Sequence, residues 1–157
     1  MKRCVAVWLA GLLLLGTATP VLAETVLEKI KRTGVLAAGT RGSNIPFAFI
    51  DEKNELRGFS IDLLEAIHAR LEKKLGKQIR LDKREVTNAT RISIVVNRAI
   101  DIECSSTTYT RGRDEAVDFS ITFFFTGSQL LVKQGIGIKS MADVAGKRVG
   151  VIPGSTN

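Results

Sequence analysis

Short apolar runs alternate with stretches of helical period along this chain, and that alternation restricts it to an α/β fold on a parallel sheet. Val35-Leu36-Ala37-Ala38-Gly39 reads as a buried strand. From Ser60, Leu63, Leu64, Ile67, Leu71 and Leu75 fall on one helical face, with Ser60 as the expected cap and Gly76 as the stop. Ile79 to Val86 reads as a second strand, and Thr87 or Asn88 is expected to cap a second helix carrying Ile92, Val95 and Val96. Ile100 to Glu103 reads as a third strand, with Asp101 and Glu103 on its half-exposed side. Ahead of these, Thr25 is expected to cap a short helix that Gly34 ends. Val117 to Ser120, Thr122 to Lys133 and Lys147 to Ile152 read as extended, and Ser140 to Ala145 as a short helix.

Residues 1–23 read as a cleavable secretory signal. Lys2 and Arg3 are its charged start, Cys4 to Gly16 is apolar and uncharged, and Val21-Leu22-Ala23 offers a cleavage site after Pro20. The apolar run is shorter than the ~20 residues of a spanning helix. Loss of Lys2 and Arg3 would lower the formal net charge of +7 by two. The other basic residues are spread along the chain, which argues against a nucleic-acid tail. Cys104 would then be the lone thiol, expected to be buried, and His68 is expected at the surface or core edge.

Ligands of open α/β sheets sit beyond the C-terminal ends of the strands. Arg41 follows the first strand. Asn88 and Arg91 follow the second. Ser106, Thr107, Thr108, Arg111 and Arg113 follow the third. Val149 to Thr156 reads as a strand entering a Gly154-Ser155-Thr156 turn, the lead-in to an anion-holding helix start. Arginines and hydroxyls at one rim suit a ligand with carboxylates. No nucleophile paired with His and no carboxylate pair at metal spacing is visible, so neither catalysis nor a cofactor or metal is expected.

From Glu24 to Asn157 the chain resembles the amino-acid-binding proteins of ABC importers, bacterial solute-binding protein family 3. Val26 to Leu36, Gly58-Phe59-Ser60-Ile61-Asp62-Leu63, Asp118-Phe119-Ser120 and Gly146 to Val151 carry the likeness in order. Thr40-Arg41, Thr87 to Ile92 and Glu103 to Thr108 are similar to motifs of the glutamate/aspartate-binding branch. The resemblance implies a type II periplasmic-binding-protein-like fold of two lobes. Residues 24–127 would form most of the first lobe, and 128–157 a hinge crossing and the start of the second. It implies L-glutamate or L-aspartate as ligand, ABC permease subunits as partners, a periplasmic location and a monomer. Arg41, Arg91 and Ser106 would face the side-chain carboxylate, and Thr108 and Arg113 the α-carboxylate. Asn88 stands where that branch usually has a serine, and Ser60 where most of the family has an acid.

Ser155 and Thr156 would close on the ligand from the second lobe. By this reading the sequence is the first part of a longer two-lobed protein and would alone bind weakly or not at all and fold poorly. The alternatives are a similar domain of a periplasmic enzyme, a dehydratase or a murein transglycosylase, or of a membrane sensor.

Overall fold

The computed structural model describes residues 23–156. The signal-peptide reading falls on residues that, apart from Ala23, lie outside this range. Helix α1, Val26–Thr33, has the expected cap in reciprocal form: the Glu28 amide donates to Thr25 Oγ1 and the Thr25 amide to Glu28 Oε2. Gly34 ends it with φ +68°. Strand β1, Val35–Thr40, follows at once.

After β1 the chain makes a small antiparallel sheet of β2 (Ser43–Asn44), β3 (Ala48–Ile50) and β4 (Leu56–Arg57). The turn between β3 and β4 is held by Asp51, whose Oδ1 accepts from the amides of Lys53 and Glu55. Helix α2, Phe59–Leu75, then crosses back to strand β5, Arg80–Glu85. Helix α3, Arg91–Val96, leads to strand β6, Ile102–Glu103, and a single turn, α4, spans Arg111–Asp114.

The main sheet has the order β5-β1-β6, all parallel, with Leu36 opposite Leu81 and Gly39 opposite both Arg84 and Glu103. Leu36 and Ala38 point from one face of β1 toward the apolar side of α2. Ile30, Leu36 and Ile79 pack with Leu71 and Leu75, while Ala38, Leu64 and Cys104 pack with Leu63. Burying each of the large aliphatic side chains contributes ~1.5–3 kcal/mol. On the opposite face Gly39 is closely packed: a Cβ there would lie 2.5 Å from Ile100 Cδ1, so that side chain would have to shift.

Ser60 does not cap α2. The helix begins at Gly58, with φ +127°, and its first amides are satisfied by the β2–β3 connection: Phe59 donates to Pro46 O and Ser60 to Phe47 O. The Ser60 hydroxyl, fully buried, instead donates to Ser105 O at 2.9 Å. A backbone carbonyl brought close by the tertiary fold has taken the hydroxyl that a helix start would otherwise use. His68 lies at the core edge, its Nε2 donating to Ile79 O at 2.6 Å. Cys104 is buried and free, and burial pushes its thiol up to about 11.

Asp101 is not half-exposed. Its side chain is 2% exposed, accepts from the Ala37 amide and pairs with Lys29 Nζ at 2.7 Å. The extended segments expected at 117–120, 122–133 and 147–152 form no strand among the described residues. Their apolar side chains stand largely exposed, Ile121, Phe125 and Leu131 most of all. Extended backbone becomes a strand only with a neighbour to close its ladder, and none of the described residues supplies one. The segment is attached through aromatic contacts, Phe124 edge-on to Phe47 at 4.8 Å and Phe123 on Phe59 at 5.8 Å. The expected helix at 140–145 is a 3-10 turn, Met141–Val144, with a Ser140–Asp143 capping box. No helix of the described residues is long and apolar enough to cross a membrane.

Candidate functional site

Chain order places β5 on one side of β1 and β6 on the other, so the two crossovers diverge at the C-terminal end of β1. The loops that follow the three strands gather in one region at that end of the sheet, where open α/β sheets take their ligands. Arg41 enters it from β1, Asn88 and Arg91 from the connection after β5, and Ser105 to Thr108 from β6.

Two threonines fold the connection after β5. Thr87 Oγ1 accepts from the Thr90 amide, and Thr90 Oγ1 from the Thr87 amide. The tight loop uses up Thr87, so α3 starts later than expected, with Thr90 in the cap position and no side-chain cap bond. Arg91 therefore opens the helix and turns inward, leaving only 3% of its surface exposed.

Arg91 Nε and Nη1 are buried without a hydrogen-bond partner among the described residues. The same holds for Asn88 Oδ1, Glu103 Oε1, Thr40 Oγ1 and Ser105 Oγ. Buried polar atoms are nearly always satisfied, and an orphaned buried charge is costly. Burial lowers the pKa of Arg91; the Glu103 carboxylate opposes that shift, and the guanidiniums of Arg113 and Arg41 add to it. Burial raises the pKa of Glu103, against the pull of the Thr107 hydroxyl, which donates to Oε2 at 2.8 Å, and of Arg91, Arg113 and Arg41. Three guanidiniums thus act electrostatically on one carboxylate, leaving an excess of positive charge and two unpartnered Arg91 donors. Such a cluster can hold an anion and fix its orientation.

The remaining rim residues are held as follows. Asn44 Nδ2 donates to Ser106 Oγ, which ties the small antiparallel sheet to the rim. Arg113 Nη1 donates to Thr108 O at 2.8 Å, and Nη2 to Gly154 O at 3.0 Å. Gly154, with φ +74°, sits so close to the Asn88–Ala89 backbone that a Cβ would lie 2.7 Å from Asn88 O. The turn ending in Ser155 and Thr156 is thereby seated beside the loop that carries Arg91. Ser155 is half-buried and Thr156 exposed. Two shallow surface concavities, one beside Leu130 and Met141 and one beside Ile45 and Phe49, lie apart from this cluster. No group of His, Cys, Asp and Glu among the described residues could hold a metal.

Glu103 is the member that sequence reasoning missed. Alternation with Ile100 and Ile102 marks it as a half-exposed strand residue. Its Oε1 is nonetheless buried, at the strand's end opposite Gly39 and within the electrostatic reach of Arg91, Arg113 and Arg41. The signal available beforehand was an acid directly ahead of Cys104-Ser105-Ser106, in a run otherwise read as ligand-facing.

The model of the bacterial extracellular solute-binding proteins, family 3, matches residues 36–148. The glutamate/aspartate import solute-binding protein of Salmonella typhimurium is 37% identical over 136 residues, 86% of this chain and 45% of that protein. Its namesake from Escherichia coli is 36% identical over 149 residues, 94% of this chain and 49% of that protein. The glutamine-binding protein of Geobacillus stearothermophilus is 35% identical over 133 residues, 83% and 50% of the two chains. The chain spans about half the length of the curated relatives it matches.

Among solved structures, a variant of ArgBP from T. maritima aligns with a TM-score of 0.57 at 30% identity, over 64% of this chain and 41% of that one. The arginine-bound form of domain 1 of TmArgBP aligns with a TM-score of 0.56 at 31% identity, over 62% of this chain and 71% of that one. An ancestral cyclohexadienyl dehydratase aligns with a TM-score of 0.55 at 29% identity, over 66% and 40% of the two chains. The β5-β1-β6 sheet is therefore one of the type II periplasmic-binding-protein fold. With its match over most of the described residues, the chain belongs to the bacterial extracellular solute-binding proteins of family 3.

Proposed function

We propose that this chain supplies the ligand-holding lobe of a periplasmic binding protein for acidic amino acids, L-glutamate and L-aspartate, which passes its ligand to an ABC permease. The observation that carries this reading is Arg91, buried to 3% exposure with two guanidinium nitrogens unpartnered among the described residues, in the field of Arg41 and Arg113. A carboxylate would satisfy those donors and balance the surplus charge. In this reading Arg41, Arg91 and Ser106 take the side-chain carboxylate, and Thr108 and Arg113 the α-carboxylate. Asn88, Ser155 and Thr156 complete the rim. Residues 24–127 form most of the first lobe, 128–157 cross the hinge into the second, and the two lobes close on the ligand by a hinge motion. The protein works as a monomer, and no bond is made or broken.

The names of the Salmonella and E. coli relatives support the choice of ligand. The arginine-bound domain 1 structure supports a first lobe that retains ligand contacts alone. The test is a calorimetric titration of the purified chain with L-glutamate. Weak saturable heat is expected, reduced at least about tenfold in Arg91→Ala, because each charge-assisted hydrogen bond is worth ~1.5–3 kcal/mol. No heat from a chain shown to be folded by circular dichroism, or heat unchanged in Arg91→Ala, would overturn the reading.

A further inference from the structure

Two neighbouring hydroxyls of the rim differ in where their protons go. Thr107 Oγ1 donates to Glu103 Oε2, so its proton is already committed. Ser106 Oγ accepts from Asn44 Nδ2 and donates to no acceptor among the described residues. A hydroxyl has one proton and two lone pairs. With one lone pair held by Asn44, the Ser106 proton must point away from Asn44. Accepting that bond also polarises the hydroxyl and strengthens it as a donor.

Both partners sit on fixed bases. Asn44 lies in β2, opposite Ala48, and its carbonyl accepts from the Phe47 amide. Ser106 follows Ser105, whose carbonyl accepts from the buried Ser60 hydroxyl. Both side chains are half-buried, so a molecule entering the rim can reach the Ser106 hydroxyl. The contact joins residues 62 apart in sequence, yet the main sheet and the small antiparallel sheet each pair through their own backbones without it.

We propose that Asn44 is a positioning residue for ligand binding: by donating to Ser106 Oγ it turns the Ser106 proton toward the ligand and makes that hydroxyl a dedicated donor to a carboxylate oxygen. This rests on the acidic-amino-acid reading given above and adds a residue to it. Asn44 acts on the ligand only through Ser106. An aspartate in its place reverses the polarity, because a carboxylate only accepts. The Ser106 proton then goes to the aspartate, and lone pairs face the ligand.

The test is a double-mutant cycle on the whole chain, read by NMR titration of the 15N-labelled protein with L-glutamate. The same spectra show that each variant is folded. Asn44→Ala and Ser106→Ala are each expected to weaken glutamate about two- to tenfold, the range of one hydrogen bond. In the Ser106→Ala background, Asn44→Ala should weaken it no further. A purely structural role for Asn44 would instead weaken binding equally in both backgrounds. Asn44→Asp should weaken glutamate about tenfold or more, beyond the alanine variant, since it adds a like charge to the reversed hydroxyl. In the ligand-free chain, one proton of the Asn44 NH2 group should move upfield in Ser106→Ala. Equal losses in the two backgrounds, an affinity that Asn44→Ala leaves unchanged, or an Asn44 NH2 group unmoved by Ser106→Ala overturns this proposal and leaves the acidic-ligand reading standing. A folded chain that does not respond to glutamate overturns that reading and this proposal with it.

Discussion

Arg113 ties its own loop to a turn 41 residues further on: one guanidinium nitrogen donates to Thr108 O and another to Gly154 O. The first bond is local to the rim. The second seats the Gly154-Ser155-Thr156 turn beside the loop that carries Arg91. Lysine keeps the charge but cannot serve both carbonyls from one planar fork. Arg113→Lys is expected to release the turn, at a cost of about 1 kcal/mol for a partly exposed hydrogen bond. Hydrogen exchange at the Ser155 amide, which bonds Ile152 O, should quicken while that of β1 stays unchanged. Equal protection of Ser155 in both proteins would rule this out.

Gly58 is where the start of α2 meets the β2–β3 connection. A Cβ there would lie 2.4 Å from Phe47 O, and φ is +127°. Both the contact and the backbone angle exclude a side chain, and the obstructing atom is backbone that cannot rotate away. Gly58→Ala should cost ~3 kcal/mol or more, seen as a large fall in the urea midpoint. A loss under about 1 kcal/mol would show that the helix start can shift freely.

Ser60→Ala separates a buried hydrogen bond from a helix cap. Removing the hydroxyl strands Ser105 O in the core and should cost about 1–2 kcal/mol. The Ile61 and Asp62 amides bond Gly58 O, so their exchange should be no faster than global unfolding allows. Selective fraying of these two amides would restore the capping role.

Glu103 gives stability an unusual dependence on pH. Burial raises its folded-state pKa, so the folded chain holds this proton to higher pH than the unfolded chain does. Its contribution is fully present below the ordinary glutamate range and is lost as pH rises through the raised value. Arg41, Arg91, Arg113 and Thr107 oppose the shift without reversing it. Asp51 and Asp82, with lowered values, act in the opposite sense at lower pH. They cancel when wild type and Glu103→Gln are compared. The variant should gain stability relative to wild type as pH rises from about 4 to 7. Urea unfolding at a series of pH values checks this, and a difference that stays flat contradicts it.

Local features held where the groups that decide them stayed local. Thr25 and Gly34 bound α1 and Gly76 ends α2, because each needs only groups a few residues away. The alternation of apolar runs and helical periods was enough for the α/β class, and the rule about strand ends was enough to nominate Arg41, Arg91 and Arg113. Three features required the assembled structure. Ser60 turned from cap to core hydrogen bond because Ser105 O approached from 45 residues away. Glu103 stays half-buried as its alternation predicts, but one carboxylate oxygen is sealed without a partner among the described residues and three arginines from different loops act on it electrostatically. The segments at 122–133 and 147–152 keep strand-like composition without forming strands, because a ladder needs a partner that composition cannot provide. Periodicity and caps are properties of neighbours along the chain, whereas burial, charge balance and strand pairing depend on which distant residues the fold brings together.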